Sequence, residues 1–134
     1  MELVIDANEV ISALISLSGK TAEIIFSNKL KLFAPEYLLE EIGKHKNEIL
    51  QKIGLSKEEL DVLLSLVFLN MELIPFSEFK EFEEEASRVC PDPNDTEYFA
   101  LALKLGCPVW SEDKLLKKQD RIKVLTTSEL LNLL

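Results

Sequence analysis

Several acidic residues sit where a folded chain could bring carboxylates together. Asp6 follows the apolar run Leu3-Val4-Ile5, and Asp113 follows Pro108-Val109-Trp110-Ser111-Glu112, so both mark places where a strand hands over to a helix. Asp95 opens a segment in which Phe99 and Ala102 lie one and two helical turns on, which points its side chain along the buried face. A fourth acid is Glu40 or Glu41. At about 100° per residue, the stripe Leu38, Leu39, Ile42, Ile49 and Leu50 leaves Glu41 at its border and turns Glu40 to water, so Glu41 is the choice. Carboxylates converging from separate segments repel one another strongly unless they share a cation. An oxygen-only set without cysteine or a nearby histidine fits Mg²⁺ or Mn²⁺ and disfavours zinc.

Each residue also has a plainer use. Aspartate caps helices well and suits their N-terminal dipole end, which would account for Asp6 and Asp113 one at a time. Asn94, with Glu97, supplies a cap for the Asp95 helix, which weakens the idea that Asp95 is only a cap. Asp92 either joins the site or shapes the turn Pro91-Asp92-Pro93-Asn94. His45, the one histidine, lies one turn beyond Glu41 and reads as a surface or packing residue, which leaves no Ser/His/Asp arrangement. Cys90 and Cys107 form no CxxC pair and read as reduced core thiols.

The elements that must position these acids alternate between strand and helix. Short apolar runs at residues 3–5, 30–34, 71–74, 108–110 and 122–125 read as strands. Helical spacing runs through Val10, Ile11 and Leu14, and through Ala22, Ile25 and Phe26 after a break at Ser18-Gly19. A longer helix has Pro35 in its first turn and extends through Leu50; Ser56 with Glu59 makes a capping box for the next, which ends near Asn70. An acidic helix over 77–89, with Glu83-Glu84-Glu85 as its solvated face, precedes the Asp95 helix, which Gly106 ends. Ser111 caps a short helix bearing Leu115 and Leu116, and Thr126 with Glu129 caps the last one. Such alternation predicts an α/β chain: a three-layer α/β/α sandwich around a mainly parallel central sheet. In such a sheet, ligands bind outside the carboxyl ends of the strands, where Asp6 and Asp113 fall.

Length and composition set the bounds. With 134 residues the expectation is one domain over 1–134, and 47% hydrophobic against 29% charged residues disfavours disorder. No apolar run approaches the roughly 18 residues of a membrane span, and the start lacks the pattern of a signal peptide, so a cytoplasmic protein is expected. A formal charge of -9 argues against a module that grips nucleic acid through phosphate contacts alone. It does not argue against an enzyme whose carboxylates hold divalent cations, because the ion reverses the local sign.

The succession Leu3-Val4-Ile5-Asp6-Ala7-Asn8, Pro35 with Glu41-Ile42, Asp92-Pro93-Asn94-Asp95 with Phe99-Ala100-Leu101-Ala102, and Trp110-Ser111-Glu112-Asp113 resembles the PIN-domain nucleases over nearly the whole chain. The resemblance implies a parallel α/β/α sandwich whose acidic quartet, here Asp6, Glu41, Asp95 and Asp113, binds Mg²⁺ or Mn²⁺ and cleaves single-stranded RNA. Asn8 and Ser111 become neighbouring polar contacts, with Asp92 in support. Many members carry a further acid where Leu115 and Leu116 stand, a departure that bears on whether one ion or two are held. Small members of this kind are often toxins paired with an antitoxin, others process RNA, and homodimers are a family expectation. Lys114, Lys117, Lys118 and Arg121, directly after Asp113, are either an RNA path or a solvated helix end. A haloacid-dehalogenase-like phosphatase would need an acid at Asn8, and a receiver domain a late lysine that Val109-Trp110-Ser111 lacks; the remaining rival is an inert PIN-like interaction module.

Overall fold

The computed structural model describes residues 1–134. Its central strand, β1 (Glu2–Ile5), has Leu3, Val4 and Ile5 each at 0% exposure. Successive strand residues point to opposite faces, so complete burial of all three requires cover on both sides of the sheet. β2 (Lys31–Pro35) and β4 (Val109–Trp110) flank β1, with β3 (Met71–Ile74) outside β2 and β5 (Val124–Leu125) outside β4. Every pairing is parallel, and Val4 lies between Phe33 of β2 and Val109 of β4.

Chain order reverses at β1. The chain adds β2 and β3 on one side, then crosses back to add β4 and β5 on the other. The carboxyl ends of β1 and β4 therefore form the topological switch point, where open parallel sheets leave a crevice. On one face, α7 (Thr96–Leu105) packs across β1, β2 and β4 with α6 (Glu83–Val89) against it. Elsewhere α1 (Ala7–Ile15) gathers α2 (Lys20–Phe26), α3 (Tyr37–Lys44) and α4 (Lys46–Ile53), while α5 (Lys57–Phe68) leads into β3 and α8 (Thr127–Leu133) closes the chain.

Local rules account for most boundaries. Ser56 and Glu59 form the expected reciprocal box at α5, as do Thr126 and Glu129 at α8. Gly106 ends α7 at φ +66°, a left-handed conformation that favours glycine. Four expectations change. Pro35 is the last residue of β2, opposite Ile74, and not the first turn of a helix. β1 has already ended its pairing at Phe33, so the missing proline N–H costs no ladder bond. The helix through Leu50 breaks at His45, whose φ of -103° and ψ of 5° leave the helical well; Leu39 of the expected stripe is exposed, while Leu38, Ile42 and Ile49 are buried. The acidic helix over 77–89 is two 3₁₀ turns, Phe76–Glu78 and Lys80–Phe82, followed by α6. Between them Phe79 leaves helical geometry, is wholly buried, and packs edge-to-face on Phe76 at 5.4 Å. The last two strands are also shorter than the apolar runs that announced them.

Candidate metal centre

Asp6 is the residue after β1, and its N–H donates to the Trp110 carbonyl at 3.1 Å, which carries the β1·β4 ladder one step beyond the strand. The residue is 4% exposed and each carboxylate oxygen accepts one bond: Oδ1 from the Asn8 N–H at 3.2 Å and Oδ2 from the Ser111 hydroxyl at 2.7 Å. Asp6 is thus the N-cap of α1 as well as a member of the crevice. Burial pushes its pKa up, against the lowering effect of these two bonds. Ser111 does not cap a helix. Its Oγ donates to Asp6 and accepts from the Asp113 N–H at 3.1 Å, because the next 3₁₀ turn, Lys114–Lys117, is capped by Asp113 through the Leu115 N–H at 2.9 Å. One buried hydroxyl therefore ties together the acids that follow β1 and β4.

Glu41 reaches the same crevice from α3. It is half-buried while Glu40 is exposed, as the helical phase requires. The Tyr98 hydroxyl, from the buried face of α7, donates to Glu41 Oε1 at 2.5 Å. Burial again raises the glutamate pKa against this bond, and burial together with Glu41 pushes the Tyr98 phenol well above its usual range. Asp95 stands at the N-cap of α7 but makes no side-chain cap bond. The Asn94–Glu97 cap does not form either: a 3₁₀ turn, Pro93–Asp95, precedes α7 and takes its cap from Asp92, whose Oδ1 accepts from the Asn94 N–H at 3.0 Å. Left without a partner, the Asp95 carboxyl is pushed up to about 7 by burial and by the charges of Asp6, Asp92, Glu41 and Asp113.

These residues surround one cleft of about 340 Å³, lined by Asp6, Asn8, Glu41, Asp92, Asp95 and Asp113 with Tyr37, Lys44, His45 and Asn94. Oxygen atoms of Asp92, Asp95 and Asp113 approach within 4.8 Å of one another. Five carboxylates facing one space, one of them without a donor, are the donor chemistry of a hard divalent cation held by oxygen. Asp92 turns out both to shape its turn and to face the cleft.

A family model for the PIN domain matches residues 4–132. The chain belongs to the PIN-domain family. Nucleases of this family are hydrolases, PIN domains generally use divalent metals, and this PIN domain has an acidic cluster. The fold is also similar to that of VapBC2 from Rickettsia felis, in a crystal structure bound to a DNA fragment from their promoter. That match has a TM-score of 0.68 and 13% identity, and covers 94% of this chain and 98% of that one. No curated protein sequence matches.

The basic stretch after Asp113 divides. Lys114 and Lys118 are exposed and in no ion pair, Lys117 pairs with Glu129, and Arg121 turns away to Glu85 at 3.1 Å. Arg121 borders a small cavity with Gly106, Cys107 and Pro108, at the end of the sheet where β4 begins. The basic side chains that do line the cleft of this PIN domain are those of Lys44 and His45, at the end of α3. Sequence spacing held weak signs of what it missed: Tyr98 is three residues after Asp95, one turn along the same face, and Glu9 is an acid on the face of α1 that buries Ala13. Cys90 and Cys107 are free, half-buried thiols, each pushed up to about 11 by burial, which removes thiolate chemistry near neutrality.

Proposed function

We propose that this PIN domain is a Mg²⁺- or Mn²⁺-dependent endoribonuclease acting on single-stranded RNA, and that it works as the toxin of a toxin–antitoxin pair. The observation that supports it most is the convergence of Asp6, Glu41, Asp92, Asp95 and Asp113 on one cleft with the Asp95 carboxyl unpartnered. In this reading Asp92, Asp95 and Asp113 hold the cation, while Asp6 and Glu41, fixed by Ser111 and Tyr98, complete its surroundings. When bound, a divalent ion there supplies Lewis acidity, lowering the pKa of a water and offsetting charge on a phosphate. One cleft carboxylate takes the proton of the attacking water. Lys44 meets the RNA backbone at the mouth, and the exposed Lys114 and Lys118 extend that path, a role that the pairings of Lys117 and Arg121 make less apt for those two. A net charge of -9 places the electrostatic burden of RNA binding on these few lysines and on the ion.

The likeness to VapBC2 supports an antitoxin as partner, and no helix here is long and apolar enough to cross a membrane. The decisive experiment is cleavage of a labelled single-stranded RNA in Mg²⁺ or Mn²⁺. Cleavage that stops on chelation and in Asp6→Asn supports the proposal; a protein that cuts no RNA with either ion is instead an interaction module.

A further inference from the structure

Glu9 is the one strongly buried acid outside the cleft. It lies on α1 at 2% exposure, it is not among the residues lining the cleft, and no cation faces it: the charged groups around it are Glu112 and Asp6. A buried carboxylate without a counter-charge is costly unless its oxygens accept hydrogen bonds, so its contacts identify its use. Oε1 accepts from the Glu112 backbone N–H at 3.1 Å, and Oε2 from the Thr127 hydroxyl at 3.3 Å. Thr127, the first residue of α8, also donates its backbone N–H to Glu112 Oε1 at 2.7 Å, and its hydroxyl accepts from the Trp110 indole N–H at 3.0 Å. The result is a closed triangle of Glu9, Glu112 and Thr127 that joins α1, the segment after β4, and the start of α8.

Residues 111–113 are held at Ser111 by its hydroxyl on Asp6, whereas the Glu112 backbone has one tie to another element. The three backbone N–H groups of this segment go to the Leu125 carbonyl (from Ser111), to Glu9 (from Glu112) and to Ser111 Oγ (from Asp113). Remove Glu9 and the residue immediately before Asp113 loses its only backbone anchor from another element. We propose that Glu9 is a positioning residue for Asp113, acting through Glu112 to hold that carboxylate at the distance from Asp92 and Asp95 that a shared divalent cation requires. The inference rests on the cation-site reading above. Groups that orient metal ligands from behind change affinity by about 10–100-fold when removed.

The test is Mn²⁺ binding to the full chain by isothermal titration calorimetry, together with backbone amide exchange at Glu112 and Asp113 in metal-free protein. Glu9→Leu should weaken Mn²⁺ at least about tenfold and speed exchange of both amides. Glu9→Gln, which keeps a carbonyl acceptor for the Glu112 N–H, should recover most of the affinity. Thr127→Val removes the hydroxyl of the triangle from outside the cleft and should weaken Mn²⁺ several-fold, and it decides the matter should Glu9→Leu fail to fold. Parent protein that binds Mn²⁺ while Glu9→Leu, or Thr127→Val in its place, binds it equally well overturns this inference alone. Parent protein that binds no Mn²⁺ overturns the cation site and this inference with it.

Discussion

At the scale of single residues, the cleft separates carboxylates that are held from one that is not. Asp6 accepts two hydrogen bonds and Glu41 one from Tyr98, so removing a donor leaves a buried acceptor short. Ser111→Ala should cost about 1–3 kcal/mol of stability by denaturant unfolding, with weaker cation binding because both Asp6 and Asp113 lose their common anchor. Tyr98→Phe should raise the Glu41 pKa, since the lost bond favours the ionised form, and carbon-detected NMR titration of that carboxyl would register it; no change would mean that the contact is absent in solution. Glu41→Gln should lose RNA cleavage while Glu40→Gln keeps it. Equal loss in both would contradict the helical phase that turns Glu40 to water.

Elements explain why some variants should leave the cleft untouched. The α5 capping box is exposed, bonds only within itself and lines no part of the cleft, so Ser56→Ala should lower stability by about 1 kcal/mol and leave cation affinity as it was. Loss of metal binding in that variant would mean that α5 acts on the cleft, for which the one direct tie is the Asp61 carboxylate meeting Lys46 at 2.6 Å, next to His45. The break at His45 has the opposite character. By ending α3 there, the chain leaves Lys44 and His45 facing the cleft while α4 re-enters the core through Ile49. The kink at Phe79 keeps both its backbone groups bonded, to Phe76 and Phe82, while completely burying its aromatic ring.

For the whole molecule, the clustered acids set the response to pH. Asp95 and Glu9 are both pushed up to about 7, chiefly by burial, from ordinary values of 3.8 and 4.5. A carboxyl whose pKa is raised in the fold binds its proton more tightly folded than unfolded, so it stabilises below the unfolded value and that stability is lost as pH rises to the folded one. Glu129, held down to about 2 by Lys117 and Thr126, acts in the opposite sense but only at pH below its ordinary 4.5. Metal-free protein should therefore melt higher at pH 5 than at pH 8. Millimolar Mn²⁺ should reverse much of that loss, because a ligand that binds only the folded state stabilises it by mass action. A melting temperature that rises from pH 5 to pH 8 without metal would show that the acids are not buried together.

Sequence alone determined what is periodic or local: the succession of strands and helices, the two capping boxes, the stop at Gly106, and the preference for Glu41 over Glu40. Apolar spacing and capping chemistry act within a few residues, so they can be read along the chain. It also singled out the acids at strand ends, because the carboxyl ends of parallel strands open on one crevice, although a cap alone would have accounted for each. Tertiary structure decided which residues meet. Glu41 and Tyr98 are 57 residues apart, Asp6 and Ser111 are 105, and Glu9 and Glu112 are 103, and no local pattern encodes such pairings. They follow from the strand order β3-β2-β1-β4-β5, which places the end of β1 beside the end of β4. Tertiary packing also turned Arg121 to Glu85 and Lys117 to Glu129, and set Lys44 and His45 at the cleft. A long charged side chain goes to whichever opposite charge the fold brings within reach, and the order of residues does not say which that will be.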